Sequence, residues 1–238
     1  MKLRIVTHVE QPTLRGKLPD LWPEFMHHDP VVTEFWPQLY EVFPDFQLWL
    51  LDGRRLVGYA CTLPVAWDGV PHPEGVHWAV RNGSAGRPTT LCAIVAGLLP
   101  AYRGRGISGA VLGRMTKVAA AHGLDSMIAP VRPTWKERYP LTPIESYAKW
   151  RREDGLPYDP WLRTHERLGA EILAVAPRSM TVTGTRDEWE EWTGLQFPES
   201  GDYVVPGALA PVHFDDGSGT YVEPNVWMRH PVESPPDY

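Results

Sequence analysis

Residues 101–114, AYRGRGISGAVLGR, place Gly104, Gly106 and Gly109 among Arg103, Arg105 and Arg114. An apolar strand-like run, TTLCAIVAGLL, precedes them, and behind them Ile107, Val111, Leu112, Met115, Val118, Ala119 and His122 recur at helical spacing. The first N–H groups of a helix lack internal partners, and glycines let an anion approach the backbone. The chemistry this pattern suits is therefore the binding of a phosphate or pyrophosphate. The spacing also satisfies G-x-G-x-x-G, but Asp125, at the distance of a ribose-binding acid, stands before the apolar run 127–131 rather than at its end. No Gly-Lys-Ser or Gly-Lys-Thr follows the loop, so neither a dinucleotide nor a nucleoside triphosphate fits.

The elements that must position this loop are legible in outline. LRIVTH reads as a first strand, followed by a Pro-interrupted helical region through Met26 and a helix over 31–43. FQLWLL and RLVGYACTL flank Asp52-Gly53 and read as a hairpin, and residues 64–87 read as turn-rich. Gly97, inside the apolar run 89–99, marks a bulge or a close backbone approach. Gly123 ends the helix behind the glycine loop, and SMIAPVR is the next strand, unpaired on one side beyond Pro130. A helix at about 159–168, a strand EILAVAPRSMTVTG, a short helix RDEWEEW and two or three further strands complete the chain.

With these elements around it, LLPAYRGRGISGAVL resembles the acetyl-CoA-binding motif of the GCN5-related N-acetyltransferases (GNAT). That motif runs Arg/Gln-x-x-Gly-x-Gly/Ala after a strand and a proline, which puts Arg103, Gly106 and Ser108 on its defining positions. Ser108 departs from the usual Gly or Ala but is small enough to keep the loop geometry. The resemblance in element order spans roughly residues 3–182, and the motif itself about 91–123. It implies an α/β (α+β) fold with a mixed, mostly antiparallel central sheet and flanking helices. It also implies acetyl-CoA as cofactor, held by Leu98, Leu99, Arg103, Gly104, Arg105, Gly106, Ile107 and Ser108. The activity implied is direct acetyl transfer to the amine of a small molecule, with a catalytically silent acyl-CoA-binding module as the alternative.

Such transfer needs a neutral amine, and freeing one from an ammonium of pKa about 10.4 at neutral pH costs roughly 4–5 kcal/mol, so a base must serve the acceptor. No carboxylate lies in residues 91–99, where some relatives carry one, and the base stays unassigned. The resemblance implies an oxyanion donor among the backbone N–H groups of Leu98 or Leu99, and a proton donor for the leaving thiolate at the end of the fourth helix. His165, four residues before Gly169, occupies the position of the family's tyrosine. It is the candidate acid, with Tyr147 and Tyr158 in reserve; a histidine simply packed at a helix end is the plain alternative. His27, His28 and Asp29 fall where the family shapes its acceptor slot, with His28 the substrate contact; three adjacent ligands suit one metal ion poorly. Trp135 and Tyr139 lead the aromatic insertion 132–160, which could wall the acceptor pocket, form a satellite core or face the second copy in a homodimer.

Composition bounds the rest. The 238 residues suffice for one continuous core, read as an acetyltransferase core over 1–183 and an extension over 184–238 that completes the sheet. The formal charge of −6 disfavours nucleic acid and leans toward a cationic substrate. No apolar run is long enough to span a bilayer and no signal peptide is evident, which leads to the expectation of a cytoplasmic protein. Cys61 and Cys92 sit in apolar strands and read as buried structural thiols.

Overall fold

In the computed structural model, which describes residues 2–83 and 85–232, the chain forms one nine-stranded mixed sheet with helices on both faces. Its first half is an antiparallel ladder: β1 (Leu3–Thr7), β2 (Gln47–Asp52), β3 (Arg55–Val65) and β4 (Thr90–Leu98) pair in that order. The β2–β3 turn is centred on Gly53-Arg54, because Asp52 pairs with Arg55; Gly53, at φ 61°, supplies the left-handed step.

Strand β5 (Ser126–Val131) runs parallel to β4, but the two pair over only three positions, from Thr90↔Ser126 to Cys92↔Ile128. Beyond them the strands part. Two features open the gap. Ile94 is an extra residue in β4, since Cys61 faces Val95 while the next residue, Thr62, faces Ala93, and such a bulge bends its strand. On the other side stands Pro130, whose ring nitrogen carries no hydrogen to offer a neighbouring strand. The bulge thus falls at Ile94 and not at Gly97. Gly97 is a close-approach site instead: a Cβ there would lie 2.4 Å from Leu21 Cδ1.

The far side of β5 is covered by β9 (Ser218–Pro231), which lies between β5 and β6 (Glu171–Thr185). A short ladder of β7 (Gly201–Tyr203) and β8 (Val212–Asp215) extends from the first half of β9. Residues 218–231, near the C-terminal end of the described chain, therefore form an inner strand of the sheet.

Helix α1 (Pro30–Glu41) begins at Asp29, whose Oδ1 accepts the Val32 N–H at 2.9 Å, with Pro30 pre-set for the first turn. It packs beside α2 (Gly75–Asn82), a helix inside the segment read as turns. On the opposite face lie α3 (Ile107–Ala121), the four-residue α4 (Ile144–Tyr147) and α5 (Pro160–Arg167), the last capped by Asp159 through the Trp161 and Leu162 N–H groups. The helix α6 (Arg186–Thr193) carries a capping box of Thr185 and Glu188. Two apolar cores result. One lies under α1, α2 and α6, around Trp49, Trp189 and Trp227; the other lies under α3 and α5, around Met115, Met127 and Leu162.

Candidate functional site

The gap between β4 and β5 opens into two clefts. The larger, of 930 Å³, lies on the α3 face. Its end is the loop 103–108, where Gly104 (φ 73°) and Gly106 (φ 74°) adopt the left-handed conformation, and a Cβ built on either meets nothing within 4 Å. Both glycines are required by backbone conformation alone, and both face open space. Gly106 is the N-cap of α3 and brings no side-chain acceptor, so the first N–H groups of the helix are left to whatever enters the cleft. Arg103, Arg132, Arg163 and Arg167 line the cleft against one acid, Glu137, which makes its wall cationic in a chain of net charge −6. Arg103 is steadied by a hydrogen bond from Nε to Leu98 O at 3.3 Å, and Arg105 lies over the Tyr102 ring at 5.5 Å.

The Leu99 N–H donates to Val57 O at 2.9 Å and is spent in the β3–β4 ladder. By the alternation of an antiparallel strand, the Leu98 N–H faces the opposite way, toward the side that β5 has left. Of the two candidate donors, Leu98 keeps the role open and Leu99 loses it.

His165, on the last turn of α5, lines the same cleft and is 1% exposed. Its Nδ1 lies 2.8 Å from Nε2 of His230, while its own Nε2 is buried without a partner. Desolvation, and then the neighbouring His230, holds His165 well below the ordinary histidine value; desolvation pushes His230 down to about 4. Both rings are neutral at neutral pH. Trp161 packs edge-to-face on His165 with centroids 4.3 Å apart and fixes the ring in place.

The second cleft, of 560 Å³, opens on the α1 face. Trp22, Ile94, Val95, Pro130 and Arg132 line both clefts, so the two meet where β4 and β5 part. Trp22, Trp36 and Tyr59 supply aromatic walls, and Asp20 and Glu223 supply two carboxylates. Glu223, 1% exposed, accepts from Arg132 Nε at 2.9 and 3.1 Å and from the Tyr221 hydroxyl at 2.8 Å. Asp20 is exposed, and the Trp22 N–H bonded to it holds its carboxyl below the usual value; His27 Nε2 lies 3.1 Å away.

This geometry has relatives. The chain is 32% identical over 248 residues, covering 89% of itself and 86% of the relative, to an arginine N-acetyltransferase, avaD, of Aspergillus versicolor. The chain belongs to the GCN5-related N-acetyltransferase family. The fold agrees: the loading GNATL domain of CurA from Lyngbya majuscula superposes with a TM-score of 0.63 at 17% identity, over 97% of each chain. A GNAT-like decarboxylase, GphF, in complex with isobutyryl-CoA gives 0.60 at 15% identity, over 98% of this chain and 100% of that one. No protein-family model matches the chain.

As a GNAT protein the chain is an acetyl-CoA-dependent N-acetyltransferase. The residues present fit that cofactor. The loop's open glycines and unpaired helix N–H groups suit a pyrophosphate, and the arginine-lined wall suits its charge. Arg103, Gly104, Gly106, Ser108 and Leu98 line the cleft, whereas Leu99 and Arg105, the latter lying over Tyr102, do not, and Ile107 is buried as the first residue of α3.

The structure places the expected substrate contacts elsewhere. His28 stacks on Trp192 at 4.1 Å and lines neither cleft, whereas its neighbour His27 lines the acceptor side. Asp29 is fully buried, accepting from Val32 and Thr181 N–H groups and lying 2.7 Å from His77 Nε2. Trp135 and Tyr139 belong to an aromatic cluster with Tyr147, Trp150 and Tyr158 and also line neither cleft. The insertion's aromatic side chains thus pack onto the core under α3 and α5. The insertion is pinned by the buried Lys136, which donates to the Tyr139 and Leu209 carbonyls and which desolvation lowers to about 8. The reserve acids are occupied: Tyr147 donates to Asp159 at 2.9 Å, and Tyr158 bonds Tyr139 at 2.9 Å. Asp20, Glu223 and Asn225 line the second cleft without any local sequence signal, whereas His27, which also lines it, belongs to the stretch expected to shape an acceptor slot. Among the described residues no helix is long and apolar enough to cross a membrane.

Proposed function

We propose that this N-acetyltransferase acts on a small cationic acceptor of the arginine type, by direct transfer. The observation that carries this reading is the 560 Å³ acceptor cleft, walled by Trp22, Trp36 and Tyr59, supplied with the Asp20 carboxylate beside the Arg132–Glu223 pair, and joined to the cofactor cleft at the β4–β5 parting. Aromatic faces and carboxylates both favour an ammonium or guanidinium group. Because Asp20 is held as a carboxylate, its part is to attract and anchor that cation rather than to take its proton. His27, at the same wall and bonded to Asp20, is placed to take the proton from the acceptor nitrogen, directly or through water. The arginine specificity of the relative supports the same class.

Acetyl-CoA, when bound, supplies an activated thioester. His165, on the wall of that cleft with an unpartnered Nε2, is the candidate proton donor for the departing sulfur. The thiols support direct transfer: Cys61 and Cys92 are fully buried, line neither cleft, and burial pushes Cys61 up to about 12 and Cys92 higher still, which disfavours either as a nucleophile. The test is a panel of amines including arginine, lysine, agmatine and neutral amino acids, read by thiol release and by the mass gain of one acetyl group. Preference for arginine-type cations supports the reading. Cofactor binding with no amine-dependent thiol release on the whole panel would overturn it and leave a silent acyl-CoA-binding module.

A further inference from the structure

We infer that His230 is a positioning residue that fixes the tautomer of His165, a residue of the cofactor-cleft wall, so that its unpartnered Nε2 carries a hydrogen. The inference rests on the reading of His165 as the proton donor. It goes beyond that reading because it assigns the setting of the donor form to a residue on another element, 65 positions away.

The geometry offers two arrangements. A single hydrogen bond of 2.8 Å joins His165 Nδ1 and His230 Nε2, and one of the two must donate. If His165 donates, its Nε2 becomes a bare lone pair, buried and without a partner, and its ring is forced into the Nδ1–H form that free neutral imidazoles disfavour. If His230 donates, both rings keep the preferred Nε2–H form, and the ring that carries the hydrogen on Nε2 lines a cleft that also holds four arginines. The second arrangement stabilises negative charge arriving at that wall, and the first repels it. Burial keeps both rings neutral, which is the condition for a tautomer, rather than a charge, to be what is set.

Nitrogen-15 NMR of the unliganded, histidine-labelled protein reads the tautomers through long-range imidazole couplings, independently of turnover. The expected result is Nε2–H on both rings, with His165 becoming a mixture in His230→Phe and staying Nε2–H in His230→Gln, whose amide donates from nearly the same place. In kinetics, His230→Phe lowers kcat roughly tenfold with KM for the cofactor unchanged, and His230→Gln restores most of it. A His165 found in the Nδ1–H form, or unchanged by His230→Phe, overturns the inference. If instead His165→Gln leaves kcat intact, the reading of His165 as donor fails; if His165→Gln is impaired but His230→Phe is not, only the role of His230 fails.

Discussion

Replacing His230 by Gln removes one titrating group from the interior while keeping a donor toward His165, and the consequence for stability can be worked out. His230 is 2% exposed, and desolvation lowers it from 6.5 to about 4 in the folded protein. Between those values the unfolded chain binds a proton that the folded chain does not, so folding is opposed by acid. The contribution is complete above 6.5 and is lost as the pH falls toward 4. From about pH 7.5 to about pH 5 the loss through this residue is about 2 kcal/mol, an order-of-magnitude value. Urea unfolding of wild type and His230→Gln at the two pH values isolates it, because every other histidine is common to both proteins. The wild type loses about 2 kcal/mol more than the variant over that interval. Equal losses would refute the reasoning, since they would mean that His230 is as accessible to protons folded as unfolded.

Other outcomes follow from particular residues. Gly106→Ala forces a Cβ into φ 74° in open space and so costs about 1–2 kcal/mol of stability from backbone strain alone, measured by urea unfolding; calorimetry against CoA shows a loss of affinity that Gly113→Ala, in an unstrained position, does not share. Asp29→Ala removes a helix cap and leaves the buried Thr181 N–H and His77 without their acceptor; thermal unfolding reports a loss of about 3 kcal/mol or more, the figure for a broken buried polar network.

The parts of this molecule that were legible in the sequence are those whose cause is local. The loop 103–108 declares itself because glycine at positive φ and an amphipathic repeat behind it need nothing distant to be recognised. The Asp159-capped helix that carries His165 on its last turn was equally plain. By contrast, α2 hides between prolines with no side-chain cap at its start, so residues 64–87 read as turns. The bulge at Ile94 left no mark because a β-branched residue suits a strand, while Gly97, which looked like the irregularity, is small for the sake of Leu21. The second cleft was legible only at His27: Glu223 and Asn225 reach it because β9 lies between β5 and β6, a pairing no local pattern announces. His28 and the aromatic insertion misled for a related reason, since aromatic residues fill a core as readily as a pocket wall.

The place of β9 also constrains the order in which the enzyme can come into being. Residues 126–131 wait at an open edge until residues 218–231 arrive, and Glu223, Asn225 and His230 all travel on that late strand. A nascent chain that has built its glycine loop and α3 still presents an unfinished sheet edge, prone to false pairing, and lacks both its acceptor wall and the partner of His165. Assembly of the catalytic apparatus is therefore gated by the last long-range pairing in the molecule, and cofactor-cradle formation and catalytic competence should be separable events during synthesis.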